Sequence, residues 1–177
     1  MRVTGITAVQ ADVSEQLSAS ILPFGIFVVG LSIVLLIMVF RSIIVPIKAA
    51  LGYVLSLAAG LGITSLVFVH GVGADALGVA RTGSVVSFMP IILMAVLFGL
   101  AMDYEVFLVS RIAEARHRLG DAREAIRTGF ASSAPVVAVA ALIMVGVFIA
   151  FVPEDDATIK PIALALTVGV AVDAFIV

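Results

Sequence analysis

Apolar residues in this chain come in long unbroken runs rather than in alternation, and the polar residues between them are few. The runs cover 21–40 (ILPFGIFVVGLSIVLLIMVF), 47–69, 86–110, 135–152 and 161–177. A helix needs about 20 apolar residues to cross a hydrocarbon core about 30 Å thick. Barrel strands would instead show segments of about ten residues alternating with period two, and none of these runs does. The pattern therefore predicts an all-α polytopic membrane protein with five spanning helices. Residues 1–20 read as a polar lead-in, and 21–177 as the membrane domain.

Composition strengthens this reading. Apolar residues make up 63% of the chain, charged residues 12%, and the mean hydropathy is +1.30. A soluble domain has about 45–50% apolar and about 25% charged residues, so the solvent for most of this surface is lipid. The sequence contains no cysteine, which removes disulfides and thiolate metal sites. His70 and His117 have no second histidine at ligand spacing, so neither metal nor cofactor is expected. No phosphate-binding glycine loop, Ser-His-Asp arrangement or nucleic-acid signature is present, and an enzyme is not expected.

The charges sort by side. If the spans alternate, Arg41, Lys48, Arg111, Arg116, Arg118, Arg123 and Arg127 share one face of the membrane. Arg2, Arg81 and Lys160 fall on the other, with Asp12, Glu15, Asp75, Glu154, Asp155 and Asp156. The positive-inside rule then puts the N-terminus outside. The connection 41–46 reads as a short cytoplasmic turn and 70–84 as a Gly-rich external one. Segment 111–134 reads as a cytoplasmic amphipathic helix lying along the interface, started by Asp121 and Glu124. Ala122, Ala125, Ile126, Gly129 and Phe130 form its apolar face. Pro90 is expected to kink the third span.

Two carboxylates break the apolar runs. An ionised acid at the bilayer centre costs about 2.5–3.5 kcal/mol on insertion scales, yet Asp103 and Asp173 both sit within predicted spans. Each closes a similar pentad, GLAMD (99–103) and GVAVD (169–173). Gly99 and Gly169 thus lie one turn before their aspartates and clear room for a neighbouring helix. At about 1.5 Å rise per residue, both acids fall roughly 12 Å from the cytoplasmic boundary, so they are expected to face each other. Two close carboxylates in a low dielectric cannot both ionise easily, so one should hold a proton near neutral pH. No basic residue is expected at that depth. Tyr104 can donate or accept beside them, whereas Glu105 points roughly opposite to Asp103 and is expected to serve a neighbouring helix or water. The competing reading is that either aspartate only caps a helix or bonds Ser and Thr.

The string Asp-Tyr-Glu-x-Phe-Leu-Val-Ser-Arg at 103–111, the basic amphipathic stretch after it and the closing GVAVDAFIV resemble the MmpL family of the resistance-nodulation-division (RND) superfamily. The resemblance runs along nearly the whole chain. It implies spans eight to twelve of a larger bacterial plasma-membrane transporter, with residues 1–20 ending an extracytoplasmic domain. By the same resemblance, Asp103 and Tyr104 match a proton-relay pair and Asp173 an acid on the last span, with Gly99, Gly169 and Glu105 supporting them. The implied activity is export of lipids or other hydrophobic molecules driven by the proton-motive force. The implied partners are protons, the bilayer, a hydrophobic substrate and a missing N-terminal half. The alternatives are a SecDF-like secretion auxiliary and a non-transporting sterol-sensing-type lipid-binding module.

Overall fold

The computed structural model describes residues 6–40, 43–79, 87–154 and 156–177. Arg2, Arg41, Arg81 and Asp155 lie outside the described residues, as do parts of the two connections 41–46 and 70–84. The described chain is all-helical: α1 (Ile6–Phe40), α2 (Ile44–Thr64), α3 (Met89–Leu119), α4 (Ala122–Ile149) and α5 (Ile159–Phe175). A π-helical turn, Ser65–Val69, extends α2. Among the described residues, four helices are long and apolar enough to cross a membrane, over Asp12–Met38, Ile44–Val69, Met89–Leu119 and Ala122–Ile149. The molecule is an all-α polytopic membrane protein.

Helix boundaries differ from the apolar runs because a run marks the bilayer, while a helix stops only where its backbone is broken. In α1 no breaker precedes the apolar run, so the helix starts at Ile6, well before the expected span at 21. Pro90 does not kink α3. It occupies the first turn, where a missing N–H costs nothing and the fixed φ suits the helix. After Arg111 the residues are good helix formers, and α3 continues to Gly120, whose φ of 73° ends it. Asp121 then caps α4, its Oδ1 accepting from Arg123 N at 3.2 Å. Segment 111–134 is therefore helical, but it is not the separate interfacial helix expected: it is the closed end of an α3–α4 hairpin. Its proposed apolar face also splits. Ala125 and Gly129 are buried in the hairpin, while Ile126 and Phe130 are each 54% exposed. The reason is close approach, since a Cβ at Gly129 would lie 2.6 Å from Ile112 Cα. Only small residues fit that seam.

Helix α5 is the most enclosed element, packed against α2, α3 and α4, with α1 on the outside against α2 and α3. Its Ala165, Leu166 and Val170 meet Leu93 and Leu97 of α3, Tyr53 of α2 and Ala141 of α4 in the core. The outer surface is apolar too: Ile44 is 80% exposed and Leu22 72%. Lipid solvates such residues as well as the core does, so helix association rests on close packing and internal polar bonds. Buried hydroxyls are satisfied accordingly. Tyr53 Oη donates to Met94 O at 2.9 Å, and Thr64 Oγ1 and Thr167 Oγ1 donate to carbonyls one turn back, each at 2.8 Å.

Long-range contacts assign the two ends of the bundle. At one end Ser87 Oγ donates to Ser14 Oγ at 2.7 Å, and Lys160 Nζ donates to Leu77 O at 3.0 Å. The first ties α1 to the end of the α2–α3 connection, and the second ties the start of α5 to that connection. The opposite end carries Lys48 and the arginines of the α3–α4 hairpin.

Candidate functional site

The register of α5 against its neighbours places the candidate acids. On α2, which runs antiparallel to α5, a Cβ at Gly60 would lie 2.7 Å from Ala165 O, and Gly52 meets Val177. Between these contacts Ser56 Oγ donates to Asp173 Oδ1 at 3.3 Å. Ser56 is buried and Asp173 half-buried. On the parallel helix α3, a Cβ at Gly169 would lie 2.7 Å from Leu97 Cδ1. Pairing 169 with 97 puts Asp173 level with position 101, so Asp103 lies only two residues deeper, about 3 Å. The expected match in depth is close.

The expected match in direction is not. Asp103 is exposed and lies on a stripe of α3 with Ile92, Ala95, Gly99, Val106 and Ser110, all exposed. The spacing of three and four residues marks one helix face, and no described helix covers it. Gly99, the supposed partner of Gly169 in making room, has nothing within 4 Å of its would-be Cβ. Among the described residues no hydrogen bond joins Asp103 to Asp173. Tyr104 is half-buried and within electrostatic reach of both carboxylates.

Glu105 takes the inward place the sequence reading gave to Asp103. It is half-buried and within electrostatic reach of Lys48 and Asp173. The register explains this. Pairing 169 with 97 brings Glu105 level with Val177, which touches Gly52, and Lys48 lies one turn beyond Gly52 on α2. Lys48 is thus a basic group within electrostatic reach of Glu105, two turns along α2 from the Ser56–Asp173 contact. Ser56 and Lys48 were missed as site residues. Ser56 had a signal, a lone hydroxyl in the apolar run YVLSLAAG, but a mid-span serine bonds its own helix backbone as readily. Lys48 had none, because it was counted as a boundary charge.

Chemically, the candidate residues are ionisable and hydroxyl groups carried by three helices. Asp173 and Ser56 are bonded inside the bundle, Glu105 and Tyr104 are half-buried on α3, and Asp103 lies on the open face. Carboxylates can take up or release protons, and a phenol or hydroxyl can relay them by donating one hydrogen bond while accepting another.

The MMPL family model matches residues 1–177. The chain is 45% identical over 175 residues to Membrane protein YdfJ of Bacillus subtilis (strain 168), covering 99% of this chain and 24% of that protein. It is 37% identical over 175 residues to the Mycolic acid-containing lipids exporter MmpL11 of Mycolicibacterium smegmatis, covering 99% of this chain and 18% of that protein. The same identity, length and coverages, 37%, 175 residues, 99% and 18%, hold for the Trehalose monomycolate exporter MmpL3 of Mycobacterium tuberculosis. The chain thus spans a quarter or less of the length of these relatives. With the match running from end to end over an all-helical membrane bundle, the chain belongs to the MMPL family.

Proposed function

We propose that the chain is part of a secondary transporter, not an enzyme, exporting lipids or other hydrophobic molecules at the expense of the proton-motive force. The observation that carries this reading is the open stripe of α3. It sets an ionisable residue, Asp103, at membrane depth on a face lined by Ala95 and Gly99, where a further helix can approach closely. A carboxylate facing lipid there would be costly, so its stable place is a protein interface or a water-filled path. A helix from the missing half of the same polypeptide, packed on that stripe, would complete the site. The names of MmpL11 and MmpL3, both lipid exporters, support a hydrophobic cargo. The distribution of Lys and Arg supports a plasma-membrane orientation with the α3–α4 hairpin cytoplasmic and the start of α1 outside, with α5, of 17 residues, as the fifth span.

In this mechanism protonation of the Asp103 site shifts the balance between two arrangements of the helix bundles. One proton moving down 100 mV supplies about 2.3 kcal/mol, enough to bias such an equilibrium. Tyr104 passes or holds the proton between Asp103 and the inner acids, and Asp173 with Glu105 tunes that exchange. The test is proton-gradient-dependent efflux from vesicles carrying the full-length transporter, normalised to protein level. Asp103→Asn is nearly isosteric but cannot exchange a proton, so transport should be lost with insertion intact. Asp173→Asn should impair it less, and Tyr104→Phe should separate the ring's packing from its hydroxyl. Normal export by Asp103→Asn would sink the relay and favour the sterol-sensing-type reading.

A further inference from the structure

A second feature lies at the other depth of the same helix pair. The ends of α3 and α4 enclose an open cavity of about 410 Å³, lined on α3 by Arg111, Glu114 and Arg118 and on α4 by Thr128 and Ser132. Its floor is apolar, made by Ala115, Leu119 and Gly129, and it is shallow because Gly129 rests against the Ile112 backbone. Positions 111, 114, 115 and 118 recur on one face of α3, so Arg111 and Arg118, rooted about 10 Å apart along the helix axis, line one wall and converge on Glu114.

Both arginines now hold Glu114. Arg111 Nη1 lies 3.3 Å from Glu114 Oε2, and Arg118 Nη2 lies 2.6 Å from Glu114 Oε1. The side chains are 51%, 75% and 46% exposed for Arg111, Arg118 and Glu114. Exposed ion pairs of this kind are worth little, so a stronger anion can displace the carboxylate at small cost. A phosphate fits the vacated geometry: its several oxygens accept from two guanidinium forks at once, and Arg binds such groups better than any other side chain.

The surroundings select a lipid rather than a soluble anion. Arg111 follows directly on the apolar run of α3 and lies 5.5 Å from the centre of the Phe107 ring, which sets it at headgroup level. Leu119, Ile126 and Phe130 stay exposed around the hairpin, at 48%, 54% and 54%, and offer apolar contact to acyl chains. Five arginines against three acids between 111 and 127 leave the hairpin positive, and basic pockets between membrane helices hold anionic headgroups. We propose that this groove binds the phosphate headgroup of an anionic membrane lipid, with Arg111 and Arg118 as its ligands and Glu114 as the group it displaces. The inference rests on the hairpin lying at a membrane surface, not on proton-coupled transport.

The test is a thermal-stability titration of the full-length protein in uncharged detergent, with dihexanoyl-phosphatidylglycerol, dihexanoyl-phosphatidylcholine and inorganic phosphate as separate probes. Phosphatidylglycerol should stabilise saturably, and the other two should not. Replacing both lining arginines (Arg111→Gln with Arg118→Gln) should weaken that binding about thirtyfold. Replacing Arg123 and Arg127 by Gln, on the same hairpin but away from the cavity, should leave it unchanged. Glu114→Gln should tighten it. An equal loss in both double variants would mean diffuse charge attraction and overturn the site. Inorganic phosphate matching the lipid would overturn the lipid as ligand, and a failure of phosphatidylglycerol to saturate would overturn both.

Discussion

Two pentads of almost the same sequence end up in opposite surroundings. GVAVD on α5 is folded into the middle of the bundle, with Gly169 against Leu97 and Asp173 bonded by Ser56. GLAMD on α3 has Gly99 touching nothing and Asp103 exposed on the open stripe. The glycine-to-aspartate spacing is therefore not a code for one environment. It prepares a helix face for close approach beside an acid, and whether that approach happens depends on what else packs there. On α5 the partners are within this chain; on α3 no described helix supplies one, and the proposed partner comes from outside it.

Substituting the two glycines should separate these states most sharply. Gly169→Ala places a Cβ 2.7 Å from Leu97 Cδ1, and Leu97 is packed in the core at only 1% exposure. Overpacking of this kind costs about 1–3 kcal/mol. Thermal unfolding in detergent should show the loss, and combining it with Leu97→Ala should cost less than the sum of the two single changes, the non-additivity expected of residues in contact. Gly99→Ala should leave the unfolding of this chain unchanged. In the full-length transporter, Gly99→Leu should lower export, because a bulky side chain blocks the approach of another helix. Unchanged export with Gly99→Leu would show that the stripe faces lipid, and the comparison would collapse.

That contrast also shows where sequence stops. The number and type of helices were legible because a bilayer demands long apolar runs. The depth of the two acids was legible from the rise per residue. Even the opposition of Asp103 and Glu105 was legible, since residues two apart on a helix point about 200° apart. What could not be read was which of them faces inward. In a soluble helix a polar face marks the outside, but α3 is apolar on every side between Met89 and Met102, and lipid accepts any of its faces. Helix ends were illegible for a related reason. Arg111, Glu114 and Arg118 stop a membrane span without stopping a helix, and only Gly120, with its positive φ, does the latter.

A smaller effect should come from the hydroxyl at the inner acid. Ser56→Ala removes the hydrogen bond that α2 donates to Asp173. At 3.3 Å that bond is long, so the loss belongs near the lower end of the usual 0.5–1.5 kcal/mol. Ser56→Thr should keep the donor. If the hydroxyl positions Asp173, Ser56→Ala should move the pH dependence of export while Ser56→Thr does not. Equal profiles for the two would leave Ser56 as a packing residue only.

The smallest effect concerns how the two helices begin. Helix α3 starts at Phe88 with no side-chain cap, whereas α5 is held by Asp156, whose Oδ1 accepts from Thr158 N at 2.7 Å and Ile159 N at 2.9 Å. These bonds favour the ionised carboxylate, with the Ile159 amide contributing most, and hold Asp156 below the usual aspartate range. Its folded value lies beneath its unfolded one of about 3.9. The stabilisation is therefore complete above that unfolded value and is lost as pH falls through the lower, folded one. Asp156 is fully exposed, and Lys160 still ties the same helix end to Leu77 O, so Asp156→Ala should loosen only the first turn. Amide exchange at Thr158 and Ile159 should quicken at neutral pH, while the midpoint of global unfolding stays put. The wild type should show the same local quickening only in acid, below the ordinary aspartate range. A wild-type exchange profile at these two amides that is flat into that acid range, once corrected for intrinsic exchange, would mean that the backbone of α5 holds itself without the cap.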